Sequence, residues 1–250
     1  MTMTRQDLVR ILARELNVDL FNDYCPNGLQ VEGRERIHRL VTGVTACQAL
    51  LDAAVALEAD AVLVHHGYFW KSEPAQVVGM KANRLRTLLG ADINLFAYHL
   101  PLDCHPTLGN NAGLGALLGV VGAPVSAADP TLPVMGGELT EVNTVAAVAQ
   151  RLKAGLGREV IAVGEGDVRR IAWCTGGGQH YIDLAADLGF DLFVTGEISE
   201  QTVHSARERG IGFIAAGHHA TERFGVQALG EWLAKDYGLE HCFVDIDSPA

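Results

Sequence analysis

LVTGVTACQALLDAAVALEADAVLVHHG, residues 40–67, holds two apolar runs with a helical segment between them. HRLVTGVTA, 38–46, reads as a strand that enters a polar, glycine-containing corner. CQALLDAAVALE, 47–58, is helical, and AVLVHHG, 61–67, is the next strand. Working outward, residues 75–89 contain a helix with Met80, Leu85, Leu88 and Leu89 apolar, and INLFAYH, 93–99, is a third strand. RQDLVRILAREL, 5–16, is an amphipathic helix with Leu8, Ile11, Leu12 and Leu16 on one side. FNDYCPNGLQVEG, 21–33, reads as a turn-rich loop, and NNAGLGALLG, 110–119, opens a short helix. Strands separated by helices of this length indicate α/β units around a mainly parallel sheet.

The second half repeats the order. TVAAVAQRLKAGL is a helix, REVIAVG and RRIAWCTG are strands, HYIDLAADLG a helix, DLFVTGE a strand, TVHSARERG a helix and IGFIAAGH a strand. ERFGVQALGEWLAKDYG is a long closing helix, and HCFVDID an edge strand. At a shift of 131 residues the opening stretch falls on RIAWCTGGGQHYIDLAADLGFDLFVTGE, 170–197. Asp52 then meets Asp183, Ala54 meets Ala185, Asp60 meets Asp191 and His66 meets Glu197. INLFAYH matches IGFIAAGH with a one-residue slip, which sets His99 beside His218. The fold class expected is α/β, with two similar domains and mainly parallel or mixed sheets. VVGAPVSAADPTLPVM, 120–135, holds three prolines and is the expected boundary. The expected domains are residues 1–127, carrying His65, His66 and Asp103, and 128–250, carrying His218 and Glu222, with the C-terminal strand packing back on the first.

Composition narrows the function. Apolar residues make up 48% and charged residues 20% of the 250, as in an ordinary globular protein. The formal charge of −11 repels a phosphate backbone, so nucleic acid is a poor first partner. No run reaches the length of a membrane span, and MTMTRQDLVRILARELN reads as a first helix and not a signal peptide. Cys25, Cys47, Cys104, Cys174 and Cys242 are odd in number and widely spaced, which suits a reducing compartment, the cytoplasm by default.

Polar residues collect at the carboxyl ends of the expected strands, where open α/β sheets bind ligands. A packed strand has no need of two adjacent histidines. His65 and His66 would face opposite ways on a regular strand, but Gly67 lets the chain turn so that both approach one site. YHLPLDCH, 98–105, offers His99, Asp103 and His105 on a loop stiffened by Pro101. In GHHATE, 217–222, His218 and Glu222 are four apart and share a face if a helix has begun. Imidazoles and carboxylates together suit Zn, Fe, Mn or Co. His65, His66, Asp103, His218 and Glu222 make five ligands, more than one structural zinc takes, and two carboxylates can bridge a pair of ions. CTGGGQ, 174–179, is either an anion cradle at a helix start or a tight packing turn. Tyr24, Asn27 and Gln30 can wall a pocket. Tyr68, Phe69 and Trp70 can stack on a base or pack at a subunit interface.

The motifs DYCPNGLQVEG, TGVTA, VHHGYFW, AYHLPLD, LGNNAGLGALLG, CTGGGQ, TGEISEQTVHSARE and AAGHHATE occur in one order nearly end to end. In this the chain closely resembles the dinuclear metal-centre proteins known as GTP cyclohydrolase 1 type 2 homologues, also described as Ngg-one-interacting-factor-like. The resemblance implies two divalent ions in a cleft between two similar domains, with Fe, Zn or Mn as the metal. It assigns as ligands His65 and His66 from VHHG, Asp103 from HLPLD, and His218 and Glu222 from GHxxTE. It also implies a toroidal homohexamer. The function expected is a metal-dependent hydrolase acting on a nucleotide or phosphoester through a metal-bound hydroxide. Glu222 and Asp103 would bridge the ions, and His99, or else His105, would shuttle a proton. The competing readings are a non-catalytic metal-binding scaffold or interaction protein, and a nucleic-acid-processing or repair factor.

Overall fold

The computed structural model describes residues 3–250; Met1 and Thr2, which open the segment read as the first helix, lie outside the described residues. Along the chain, β1 (Met3–Thr4) leads into α1 (Arg5–Glu15), β2 (Gly28–Val31), β3 (Arg36–Ile37), β4 (Arg39–Thr45), α2 (Gln48–Ala56) and β5 (Ala61–His66). Next come α3 (Gly79–Gly90), β6 (Asn94–Ala97), α4 (Leu100–Cys104), α5 (Asn110–Leu118), β7 (Ala123–Pro124), β8 (Met135–Thr144), α6 (Val145–Leu156), β9 (Ile161–Val163) and β10 (Asp167–Trp173). The remainder is α7 (Ile182–Asp187), β11 (Leu192–Thr195), α8 (Glu200–Arg209), β12 (Gly212–Ala215), α9 (His218–Thr221), α10 (Arg223–Tyr237) and β13 (Glu240–Phe243).

These elements form two compact units. The first runs to Leu102 and is completed by Gly225–Asp247; the second is Asp103–Phe224 with Ser248–Ala250. The expected change at 127/128 therefore differs from the observed one at Leu102/Asp103, and Asp103 belongs to the second unit. Packing is the reason. Leu114 and Leu118 of α5 bury in one core with Leu139, Val148 and Leu152, so α5 joins β8 and α6 in the second unit. The chain returns to the first unit early in α10, and β13 pairs parallel with β4 at the sheet edge.

In the first unit the sheet order is β13-β4-β5-β6-β2. All neighbours are parallel except β2, which is antiparallel to β6. Ala61–Val64 of the central strand are fully buried, and each large apolar side chain there stabilises by about 1.5–3 kcal/mol. In α1, Leu8 and Leu12 bury one helical turn apart, and the Thr4 hydroxyl caps the helix by accepting from Asp7 N.

The second unit's sheet runs β7-β8-β10-β11-β12-β9, with β10, β11 and β12 parallel and the flanking pairs antiparallel. Both sheets are mixed, and the proposed repeat appears in their registers. Leu40 of β4 lies opposite Ala61 of β5; 131 residues on, Ile171 of β10 lies opposite Leu192 of β11.

Candidate metal centre

In the first unit β5 ends on His65 and His66, whose ring centroids are 4.6 Å apart. Gly67, the next residue, leaves room for Gln30: a Cβ there would meet the Gln30 Oε1 at 2.2 Å. His65 is fully buried, and its Nδ1 lies 3.0 Å from the Tyr98 carbonyl oxygen. A carbonyl only accepts, so Nδ1 carries the proton and Nε2 the lone pair that a metal takes. The His66 Nδ1 is 3.1 Å from Thr45 Oγ1. His99, just past β6, brings its ring to 5.0 Å from His65 and 5.8 Å from His66, and the three histidines offer nitrogens within 4.8 Å of one another.

His99 is held by Asp23, which composition alone did not single out. The Asp23 Oδ1 accepts from His99 Nδ1 at 2.8 Å and from Tyr24 N at 2.6 Å. Burial works against this carboxylate's charge, but hydrogen bonding and charge from His99 overcome it and hold its pKa low. Trp70 meets His99 edge to face, with centroids 5.0 Å apart.

In the second unit the buried Asp103 and Glu222 bring carboxylate oxygens within 4.8 Å of each other. Asn110 Nδ2 and Thr175 Oγ1 both donate to Asp103 Oδ1, at 2.8 and 3.0 Å. The start of α9 gives His218 and Glu222 the shared face expected of positions four apart: His218 Nε2 lies 3.2 Å from Glu222 Oε2. His218 Nδ1 lies 2.7 Å from Glu197 Oε1. Burial disfavours the imidazolium, yet Glu222 and then Glu197 raise its pKa to about 9.

The structure decides several open readings. CTGGGQ is a packing turn: Gly176 N donates to Thr221 Oγ1, Gly178 N donates to Thr195 Oγ1, and the turn lies against the carboxylates of Glu197 and Glu222, which an anion would avoid. His105 accepts from Leu108 N at 3.0 Å and so caps its own turn. Tyr68 is core, with its hydroxyl on the Ala46 carbonyl. Gln30 braces the turn after β5 by accepting from Tyr68 N and donating to Pro26 O and Tyr68 O. Sequence reasoning passed over Asn110 and Thr175 as supports; polar residues near an expected helix start and strand end carry no distinctive spacing.

Two carboxylates crowded in a buried place repel, and a divalent cation relieves that repulsion. Imidazole nitrogens and carboxylate oxygens fit borderline ions such as Zn, Fe and Mn. The five cysteines are widely spaced along the chain and bring no pair of thiolates to this donor set.

Comparison with known proteins gives a consistent result. The family model for Duf34/NIF3 (NGG1p interacting factor 3) matches residues 3–249. A "GTP cyclohydrolase 1 type 2 homolog" of Yersinia pestis is 58% identical over 99% of this chain and 100% of its own, and one of Pseudomonas aeruginosa is 57% identical over the whole of both. Among solved structures, the protein ybgI, described as of unknown function, superposes with a TM-score of 0.94 at 54% identity over 99% of this chain and 100% of its own. TTHA1606 from Thermus thermophilus does so with a TM-score of 0.90 at 36% identity, again over 99% and 100%.

Proposed function

The chain belongs to the Duf34/NIF3 family, and on that premise we propose that it is a dinuclear metal-dependent hydrolase acting on a nucleotide or phosphoester. His65, His66, Asp103, His218 and Glu222 would hold the two divalent ions, Fe, Zn or Mn. The observation that carries this reading is the buried Asp103–Glu222 pair, with oxygens within 4.8 Å and His218 against Glu222. Two ions held there supply Lewis acidity and acidify water.

The chain's own groups do the rest. Asp103 and Glu222, both buried, would hold the ions through their carboxylates. His65 and His66 would offer imidazole nitrogens to the ions, and the Tyr98 carbonyl keeps the His65 ring from rotating. Glu222 and His99 are the catalytic residues of this reading, and His99 moves the proton at Nε2. The name shared by the relatives, GTP cyclohydrolase 1 type 2 homolog, favours a purine nucleotide or another cyclic amide as the first substrate to try. A homohexamer in the cytoplasm completes the proposal. The odd number and wide spacing of the cysteines support the compartment.

The test is anaerobic reconstitution with Fe, Mn or Zn, followed by a screen of nucleotides and phosphoesters. Glu222→Gln and metal removal should each abolish turnover. Activity that survives both removes the metal-dependent mechanism; stoichiometric metal with no turnover of any substrate favours the non-catalytic scaffold.

A further inference from the structure

The loop from Asp23 to Gly28 is wired to the end of β6 through two side chains. Asp23 accepts four hydrogen bonds: from Tyr24 N and His99 Nδ1 on Oδ1, and from Asn27 Nδ2 and Leu100 N on Oδ2 at 2.9 Å each. Asn27 Oδ1 in turn accepts from His99 N at 2.7 Å. The Asp23 side chain is 2% exposed and that of His99 14%. Both the backbone and the ring of His99 are thus fixed by one loop.

The second unit contains the same device. There His218, the residue that the internal repeat sets beside His99, gives its Nδ1 to Glu197 at 2.7 Å. A carboxylate that receives Nδ1–H leaves Nε2 as the nitrogen with the lone pair. The other nitrogen of His218, Nε2, lies 3.2 Å from the Glu222 carboxylate, and His99 offers a ring nitrogen to the group formed with His65 and His66. Trp70 and Tyr24 pack edge-on against the His99 ring, with centroids at 5.0 and 6.3 Å, and limit its rotation.

We propose that Asp23 is a positioning residue that holds His99 in the Nδ1–H tautomer, with the ring fixed beside the His65–His66 pair. In the hydrolytic reading given above, this keeps the His99 ring in one orientation beside the proposed ligands. The tautomer does not depend on that reading.

Nitrogen-15 solid-state NMR of the full, metal-free chain with labelled histidine tests it, with His99→Gln identifying the signal. The expected spectrum shows His99 protonated at Nδ1 and bare at Nε2. Asp23→Ala should move it to the Nε2–H form that free histidine prefers, and Asp23→Glu should restore Nδ1–H. A wild-type ring protonated at Nε2, or one unmoved by Asp23→Ala, overturns the proposal, and the wild-type spectrum decides even if a variant does not fold. In the metal-loaded protein, Asp23→Asn should keep the metal content and lower cleavage of bis(p-nitrophenyl) phosphate about 10- to 100-fold, the usual cost of losing a supporting carboxylate. Wild-type protein that takes up metal and cleaves nothing fails the hydrolase reading, while the spectrum still decides the role of Asp23.

Discussion

Asp60 and Asp191 perform the same task 131 residues apart. Asp60 Oδ2 accepts from His38 N and Arg39 N, each at 2.8 Å. Asp191 Oδ2 accepts from Arg169 N and Arg170 N, at 2.9 and 2.7 Å. Each aspartate's own N–H also donates to the paired strand, to Arg39 O and to Arg170 O. Agreement at this level, on top of matching strand registers, supports descent of both units from one α/β repeat.

Removing either carboxylate strands two backbone donors at the entry of a parallel strand. Asp191→Ala should therefore cost about 1–3 kcal/mol, and Asp60→Ala more, because Asp60 also pairs with Arg34 at 2.9 Å. Urea unfolding measures both. A loss from Asp191→Ala that equals or exceeds the loss from Asp60→Ala contradicts this ordering.

Gly176 is required by what faces it. Its φ is +65°, and a Cβ there would sit 2.0 Å from Glu222 Oε1 and 3.2 Å from His218 Nε2. Gly176→Ala must move the Glu222 carboxylate, so metal affinity should fall by at least tenfold while the far sheet stays folded. Competitive titration with a chelator reads the affinity and circular dichroism the fold. Unchanged affinity would mean that Glu222 is not a ligand.

The repeated strand–helix–strand units were legible because their apolar residues follow a period. β8 was not. Among Met135–Thr144 only Leu139 is buried, and Gly136 and Gly137 are there because Phe190 and Val120 leave no room for a side chain. That strand is held by backbone pairing with β10 and β7, which leaves no hydrophobic pattern. β2 was hidden in a stretch rich in turn formers, and its register shifts around Gln30, whose side chain braces the next loop instead of a sheet face. HLPLDC, read as a stiff loop, is a helical turn, since Pro101 is tolerated in a first turn. The candidate ligands were legible as strand-end polar residues; Asp23 and Glu197 become supports only once the fold puts them against His99 and His218.

The cysteines should react in the order of their exposure. Cys242 is exposed, whereas Cys25 and Cys174 are buried. Burial, then the Asp23 charge, pushes the Cys25 thiol up to about 12, and burial with nearby negative groups raises Cys174 as well. An aromatic disulfide reagent at pH 8 should modify Cys242 at once and reach Cys25 and Cys174 only after denaturation. Rapid modification of Cys174 in the native protein would contradict the closed packing of the CTGGGQ turn.

His218 sets opposite pH trends for the fold and for the metal. Its pKa, raised to about 9 in the metal-free protein, lies above the ordinary histidine value of 6.5, so the imidazolium form is the one that Glu222 and Glu197 stabilise. That contribution to folding is fully present below the unfolded pKa and is lost as pH rises through about 9. A metal needs the neutral ring, so at pH 7.5 uptake must expel this proton. Apparent affinity should therefore climb toward pH 9 while metal-free stability falls over the same interval. Calorimetric titration with Zn or Mn in buffers of different ionisation enthalpy counts the protons directly. About one proton should leave per chain from His218 at pH 7.5; heats that are independent of the buffer would show that the ion does not displace the His218 proton, and would take His218 out of the ligand set.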